Sequence, residues 1–228
     1  MQRYRRALLA VLFIVILAAS YWVTRRFLVP DLTVPLSSDT VSLSPRIDAL
    51  PKEEIDDAER ADLLFVREEE KLARDIYTQL AARWQLRIFD NIAQSEQAHT
   101  DAVRALLERY EIADPAAVTI VGEFADTELA ALYAQLIAQG GESEVAALKV
   151  GALVEEFDIA DLTARIAQTD NEDIRFVYEN LLRGSRNHLR LFAAQLTARG
   201  QTYAPQYIST AEYGAIISSQ REVGGRGR

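Results

Sequence analysis

FDNIAQSEQAHTDAV, residues 89–103, decides the fold. Its apolar residues Ile92 and Val103 continue through Leu106 and Tyr110 in steps of three and four, the spacing of one helix face. Glu96 and His99 fall on that same face, so a carboxylate and an imidazole point into a core rather than into solvent. The chain has only two histidines, and the second repeats the arrangement. In YENLLRGSRNHLRLF, residues 178–192, His188 shares a stripe with Leu181 and Phe192, flanked by Ile174, Val177 and Leu196. Ser185 stands where a second Glu-x-x-His would place its acid.

Two further stretches complete the pattern. In VGALVEEFDIADL, residues 150–162, Glu155 lies on a face with Leu148, Ala152, Ile159, Leu162 and Ile166. Glu156 is rotated away, and Asp158 sits at the stripe's edge, placed as an outer ligand or a hydrogen-bond partner. In LLFVREEEKLARDIY, residues 63–77, the spacing leaves two choices. Phe65, Leu72, Ile76 and Leu80 centre a stripe near Glu69, whereas Leu63, Val66, Ala73, Tyr77 and Trp84 favour Glu70. Spacing alone gives Glu69 a slight edge. Buried glutamates are rare unless paired or metal-bound, so four helices that each bring an acid or a histidine to mid-length point to a shared polar centre. Glu-x-x-His on one helix face is how carboxylate bundles hold a pair of metal ions.

Breakers and caps set the helix limits. Pro51 and a run of acids open a helix over about 52–84, Asp90 caps one over 91–110, and Gly140-Gly141 closes a short one at about 127–139. Another covers about 144–168, and Thr169-Asp-Asn-Glu172 reads as a capping box opening a helix that ends at Gly200. The four long helices form two hairpins joined by a long crossover, residues 111–141. No strand run or glycine-rich phosphate loop competes with this reading.

Composition narrows the function classes. Of 228 residues 49% are hydrophobic, enough for a full core, and the lack of cysteine excludes disulfides, zinc–thiolate sites and thiol catalysis. Residues 1–30 carry Arg3, Arg5, Arg6, Arg25 and Arg26 and no acid. The rest carries 20 bases against 34 acids, a net charge of −14 that repels nucleic acid. The five arginines flank ALLAVLFIVILAASYWV, residues 7–23, which as a helix spans roughly 25 Å, the short end for a bilayer core. It fits a retained anchor or a cleaved signal peptide ending at Ala18-Ala-Ser20, and Arg25 and Arg26 favour the anchor. Three arginines precede the run and two follow, so the domain is expected outside the cytoplasm, periplasmic or extracellular, and secreted if the segment is cleaved. Residues 1–27 form that segment, 28–50 read as a flexible proline-containing spacer, 51–217 as the folded domain and 218–228 as a disordered tail.

With these segments assembled, the chain resembles the ferritin-like superfamily, and within it an uncharacterised bacterial and archaeal family of unknown function. YAPQYISTAEYGAII, residues 203–217, belongs to the same pattern, and the resemblance covers about residues 55–217. It implies an all-α, ferritin-like four-helix bundle with a long crossover between helices two and three, behind the N-terminal transmembrane or signal helix. Ferritins and bacterioferritins commonly show Glu-x6-Tyr in the first helix, which Glu70-KLARDI-Tyr77 matches. The resemblance therefore selects Glu70 over Glu69 as a metal ligand and places Tyr77 near the metals. Glu96, His99, Glu155 and His188 take the matching ligand positions. Ser185 departs from the full set of four glutamates and two histidines.

What the resemblance implies chemically is an iron centre, two ions or one per chain, with manganese or zinc also suited to oxygen and imidazole ligands. Glu96 and Glu155 would bridge, Glu70 would be terminal, and Tyr77 would serve as hydrogen-bond donor or one-electron relay. The corresponding activity is that of a di-iron oxidoreductase of ferroxidase or peroxidase type. The other reading is a metal-free bundle in which the same residues form a buried network, used for structure or protein interaction at the cell envelope. The partners expected are metal ions and, through the N-terminal helix, a membrane. A homodimer is compatible with such a tether, and a closed storage cage is not.

Overall fold

The structure, a computed structural model, describes residues 43–117 and 120–223. Among them are seven helices and no strand: α1 (Ser44–Ile47), α2 (Asp57–Trp84), α3 (Arg87–Arg109), α4 (Thr127–Gly140), α5 (Glu144–Ile166), α6 (Glu172–Ala198) and α7 (Thr210–Ser218). No helix among the described residues is long and apolar enough to cross a membrane. The apolar run 7–23 and most of the expected spacer lie outside the described residues.

Two antiparallel hairpins, α2 with α3 and α5 with α6, pack together, with α2 against α5 and α3 against α6. The crossover helix α4 lies against α2 and α5. Local chemistry explains the ends. Asp56 accepts from Glu59 N while Glu59 reaches back to Asp56 N, and this capping box starts α2 at Asp57 rather than near residue 52. Gln85 takes a left-handed conformation, φ 53°, and turns the chain so sharply that α3 begins at Arg87. Asp90, expected as the cap, sits instead in the first turn, where its charge suits the helix dipole. The capping box expected at 169–172 does not form. Thr169 and Asn171 donate to Glu59 of α2, which ties the start of α6 across the bundle.

Packing reaches beyond both expected margins of the folded domain. Ile47 of α1 is buried, and α1 rests on α3 and α6. Past α7, Glu222 pairs with Arg186 and Arg190. α7 forms within the 203–217 segment, where Ser209 caps it by accepting from Glu212 N.

The apolar core is divided. One cluster contains Leu72, Ile76, Phe89, Ile92, Val154, Leu189 and Phe192, and the other contains Leu63, Val66, Ala102, Leu106, Leu162, Val177 and Leu181. The break falls between Val66 and Leu72 on α2, Ile92 and Ala102 on α3, and Leu181 and Leu189 on α6. On α5 Glu155 and Asp158 lie at the edge of the first cluster, between Val154 and Ile159, with Leu162 of the second cluster one turn further on. The helices thus place one polar band between two apolar layers.

Candidate metal centre

All five residues expected as ligands meet in that band. Glu70 comes from α2, Glu96 and His99 from α3, Glu155 from α5 and His188 from α6, and all are buried. His99 Nδ1 stands 2.8 Å from Glu96 Oε2 and 3.2 Å from Glu70 Oε2. His188 Nδ1 stands 2.8 Å from Glu96 Oε1 and 3.4 Å from Glu155 Oε2. Two ligand groups result, Glu70–Glu96–His99 and Glu96–Glu155–His188, each with one ligand atom per residue and all three within 4.8 Å of one another. Glu96 is common to both, one oxygen facing each histidine. The imidazole centroids lie 5.8 Å apart.

The surroundings orient these groups without satisfying them. Ser95 meets His188 Nε2 at 3.0 Å, so the ring's other nitrogen is the one turned to the carboxylates. Tyr77 donates to Glu155 Oε1 at 2.5 Å and contacts the Gly151 carbonyl oxygen at 3.2 Å. Toward the centre, buried Glu70 Oε1 has no hydrogen-bond partner among the described residues, and both Glu96 oxygens, Glu155 Oε2 and His188 Nδ1 meet only one another and His99, three carboxylates facing two imidazoles. Buried polar atoms left this way are costly, and a cation among them removes the cost. The donor set, three carboxylates and two imidazoles, therefore fits a pair of divalent metal ions, with Glu96 placed between them.

Charge coupling is strong. Burial alone would lower the His99 imidazole, but Glu96 and Glu70 override it and hold it well above its ordinary value. His188 is likewise opposed by burial and lifted by Glu155 and Glu96 to about 10. Burial raises Glu70 to about 7 against the pull of His99. For Glu96 burial is outweighed by His99 and His188, which hold it well below the carboxylate range. Burial and the Glu155 charge push the Tyr77 phenol well up, so Tyr77 holds its proton and acts as a donor.

Neighbouring positions are now resolved. The structure brings Glu70, and not Glu69, to the histidines. Glu69 is also buried, its oxygens make no hydrogen bond among the described residues, and burial with the Asp161 and Asp158 charges pushes its carboxyl well up. Ser185 donates to Asp158 Oδ2 at 2.9 Å and to the Leu181 carbonyl at 3.0 Å, making Asp158 the hydrogen-bond partner of the residue that replaces an acid. Glu156, turned away from the stripe, accepts from Tyr203 and from the backbone of Gln206 and Ile208. Two contributors escaped the sequence reading. Ser95 lies one step off the α3 stripe and gave no signal. Gly184 did give one, as a glycine inside a helix: a Cβ there would stand 2.5 Å from His99 Cε1 and Nε2.

Residues 59–220 match the family described as an uncharacterized protein domain, DUF2202. The chain belongs to this family. An uncharacterized protein of Methanocaldococcus jannaschii, MJ0754, is 54% identical over 178 residues, covering 78% of this chain and 96% of the relative. The crystal structure of that hypothetical protein superposes with a TM-score of 0.75 over 76% of this chain and 99% of its own. Every residue of the centre, with Tyr77, Ser95 and Gly184, lies within the DUF2202 segment, and the apolar run 7–23 lies outside it.

Proposed function

We propose that this DUF2202 protein is a ferritin-like domain whose buried centre holds a pair of divalent metals, in the first place iron, for redox chemistry with oxygen or peroxide. The carrying observation is the set of three buried carboxylates and two imidazoles that four helices bring together in two groups sharing Glu96, the ligand atoms of each group within 4.8 Å of one another. Two hairpins joined by a crossover helix support the ferritin-like reading. The run 7–23 would tether the domain to a membrane on its non-cytoplasmic face, as a single span.

When bound, iron would supply the electrons and a Lewis-acidic site for the oxidant. The residues supply everything else. Glu96 offers one carboxylate oxygen to each position, while Glu70 with His99 and Glu155 with His188 complete the two groups. Ser95 fixes the His188 ring, and Tyr77 keeps its proton and donates it in a hydrogen bond to Glu155 Oε1, which orients that carboxylate. The two apolar layers keep bulk water from the band.

The test is metal analysis of the full chain, purified in mild detergent without chelator, before and after anaerobic iron(II). Two tightly bound irons per chain are expected, and a folded protein that takes up none sinks the proposal. One observation favours a second reading, a metal-free structural bundle: each imidazole lies 2.8 Å from Glu96, so protonated histidines offset much of the band's negative charge without a metal. That reading predicts no metal uptake and unchanged thermal stability when iron(II) is added.

A further inference from the structure

The two ligand groups offer the same donors, two carboxylates and one imidazole, with Glu96 in both. Any difference between them therefore comes from what surrounds them. In the Glu96–Glu155–His188 group the outer atoms are held. Ser95 meets His188 Nε2 at 3.0 Å, and Tyr77, packed against Phe89 and Phe192, donates to Glu155 Oε1. The His188 and Glu155 side chains are sealed, at 0% and 1% exposure. The Glu70–Glu96–His99 group lacks this support. Glu70 Oε1 has no hydrogen-bond partner among the described residues, and His99 meets its carboxylates through Nδ1 while Nε2 makes no hydrogen bond among those residues. The ring edge that carries Nε2 rests on the α6 backbone at Gly184, where a Cβ would stand 2.5 Å away, so Gly184 offers it no side chain. His99 is also the one member of the centre that meets solvent, with 7% of its side chain exposed against 0–1% for the other four.

We propose that the two positions are inequivalent: the His188 group holds a resident divalent ion, and the His99 group is the exchanging position, through which ions enter and leave at the seam between α3 and α6. This ordering rests on the metal-centre reading above. Partners behind a ligand fix its orientation and raise its basicity, and losing them costs about 10–100-fold in metal affinity. An ion leaving the His99 position needs only a turn of an imidazole whose outer nitrogen is unheld and the release of Glu70. An ion leaving the His188 position must first break the Ser95 and Tyr77 hydrogen bonds, in a part of the band closed to solvent. Ser95 and Tyr77 are thus the positioning residues that separate a retained ion from an exchanging one.

Exchange of zinc(II) tests the ordering, since zinc suits both donor groups and needs no oxidant. The metal-stripped full chain in mild detergent is loaded with radioactive zinc and chased with unlabelled zinc. Two ions are expected to leave in two phases at least tenfold apart in rate. His99→Ala should remove the fast ion and keep the slow one, and His188→Ala should do the reverse. Ser95→Ala should speed the slow phase at least tenfold with the fast phase unchanged, and it carries the test if either histidine variant does not fold. If only one zinc binds, it must be the ion that His99→Ala keeps. Two zincs leaving at one rate, a slow ion lost with His99→Ala, or a slow phase unmoved by Ser95→Ala overturns the ordering and leaves the centre standing. A folded wild-type chain that takes up no zinc overturns the centre, and the ordering with it.

Discussion

Two buried charged regions lie on the same helix, and only one of them pairs each acid with a fixed cation or with backbone amides. On the outward side of α2, Lys71 donates to Asp75, to the Ile120 carbonyl and to the Glu123 carbonyl, and lies 4.3 Å over the Phe124 ring. Glu68 accepts from Ala125 N and Asp126 N, Asp75 accepts from Arg74 and Gly122 N, and Arg67 pairs with Asp114. These charges pin the crossover to the bundle. On the inward side, Glu70, Glu96 and Glu155 converge on two imidazoles, three carboxylates against two rings, and Glu70 Oε1 is left without a partner among the described residues. Buried acids matched one for one by cations or amides read as structure, and converging carboxylates in excess of imidazoles read as a place for a cation. Burial alone does not separate the two; partner geometry does.

The comparison breaks first at Glu96. Because it serves both groups, Glu96→Ala is expected to abolish tight metal binding at both positions, read by metal analysis and calorimetry. Metal stoichiometry unchanged in that variant means the ligand assignment is wrong. The outward network should behave in the opposite way. Lys71→Met severs the crossover's anchor and is expected to cost about 3 kcal/mol of stability by chemical denaturation, with metal stoichiometry retained. Loss of metal with little change in stability would merge the two regions and erase the distinction.

Smaller effects sharpen it. Gly184→Ala forces a methyl against the His99 ring and is expected to weaken metal affinity about tenfold, at about 1–3 kcal/mol in stability. Metal loading must also displace protons. His99 is held well above its ordinary value and His188 at about 10, so both are protonated at neutral pH in the metal-free protein. Affinity therefore falls as pH falls, with release of about two protons per filled centre, measured by calorimetry in buffers of different ionisation heat. The smallest effect lies at the C-terminal clasp. Arg186 and Arg190 hold Glu222 at about 2 in the folded chain against an ordinary 4.5. A depressed folded value gives stability that is full above pH 4.5 and lost as pH falls toward 2. The melting-temperature gap between wild type and Glu222→Gln should close over that window.

Much of this was legible in the chain. Steps of three and four placed Glu96, His99, Glu155 and His188 inward, because a helix turns the same face toward the core wherever it packs. The division of REEEKLARD into two working faces was less visible. Glu68 carries no pattern that distinguishes it from a solvated surface acid, and its partners are backbone amides 57 and 58 residues away. Asp90 and Thr169 do not cap their helices for the same reason: a cap depends on the neighbour's backbone, and here Gln85 turns the chain before α3 while Glu59 takes the Thr169 hydroxyl.

The sequence by itself determined an all-helical chain, two hairpins with a crossover, and a face on each long helix that carries polar residues. Local periodicity, breakers and composition are enough for that. Only the tertiary structure decided that Glu70 rather than Glu69 joins the histidines, that Asp158 answers to Ser185, and that the polar residues of four helices fall at one level between two apolar layers. Those outcomes depend on the relative register of helices far apart in sequence. A sliding of one turn, about 5.4 Å, would move each ligand past its partner while leaving every helical stripe unchanged.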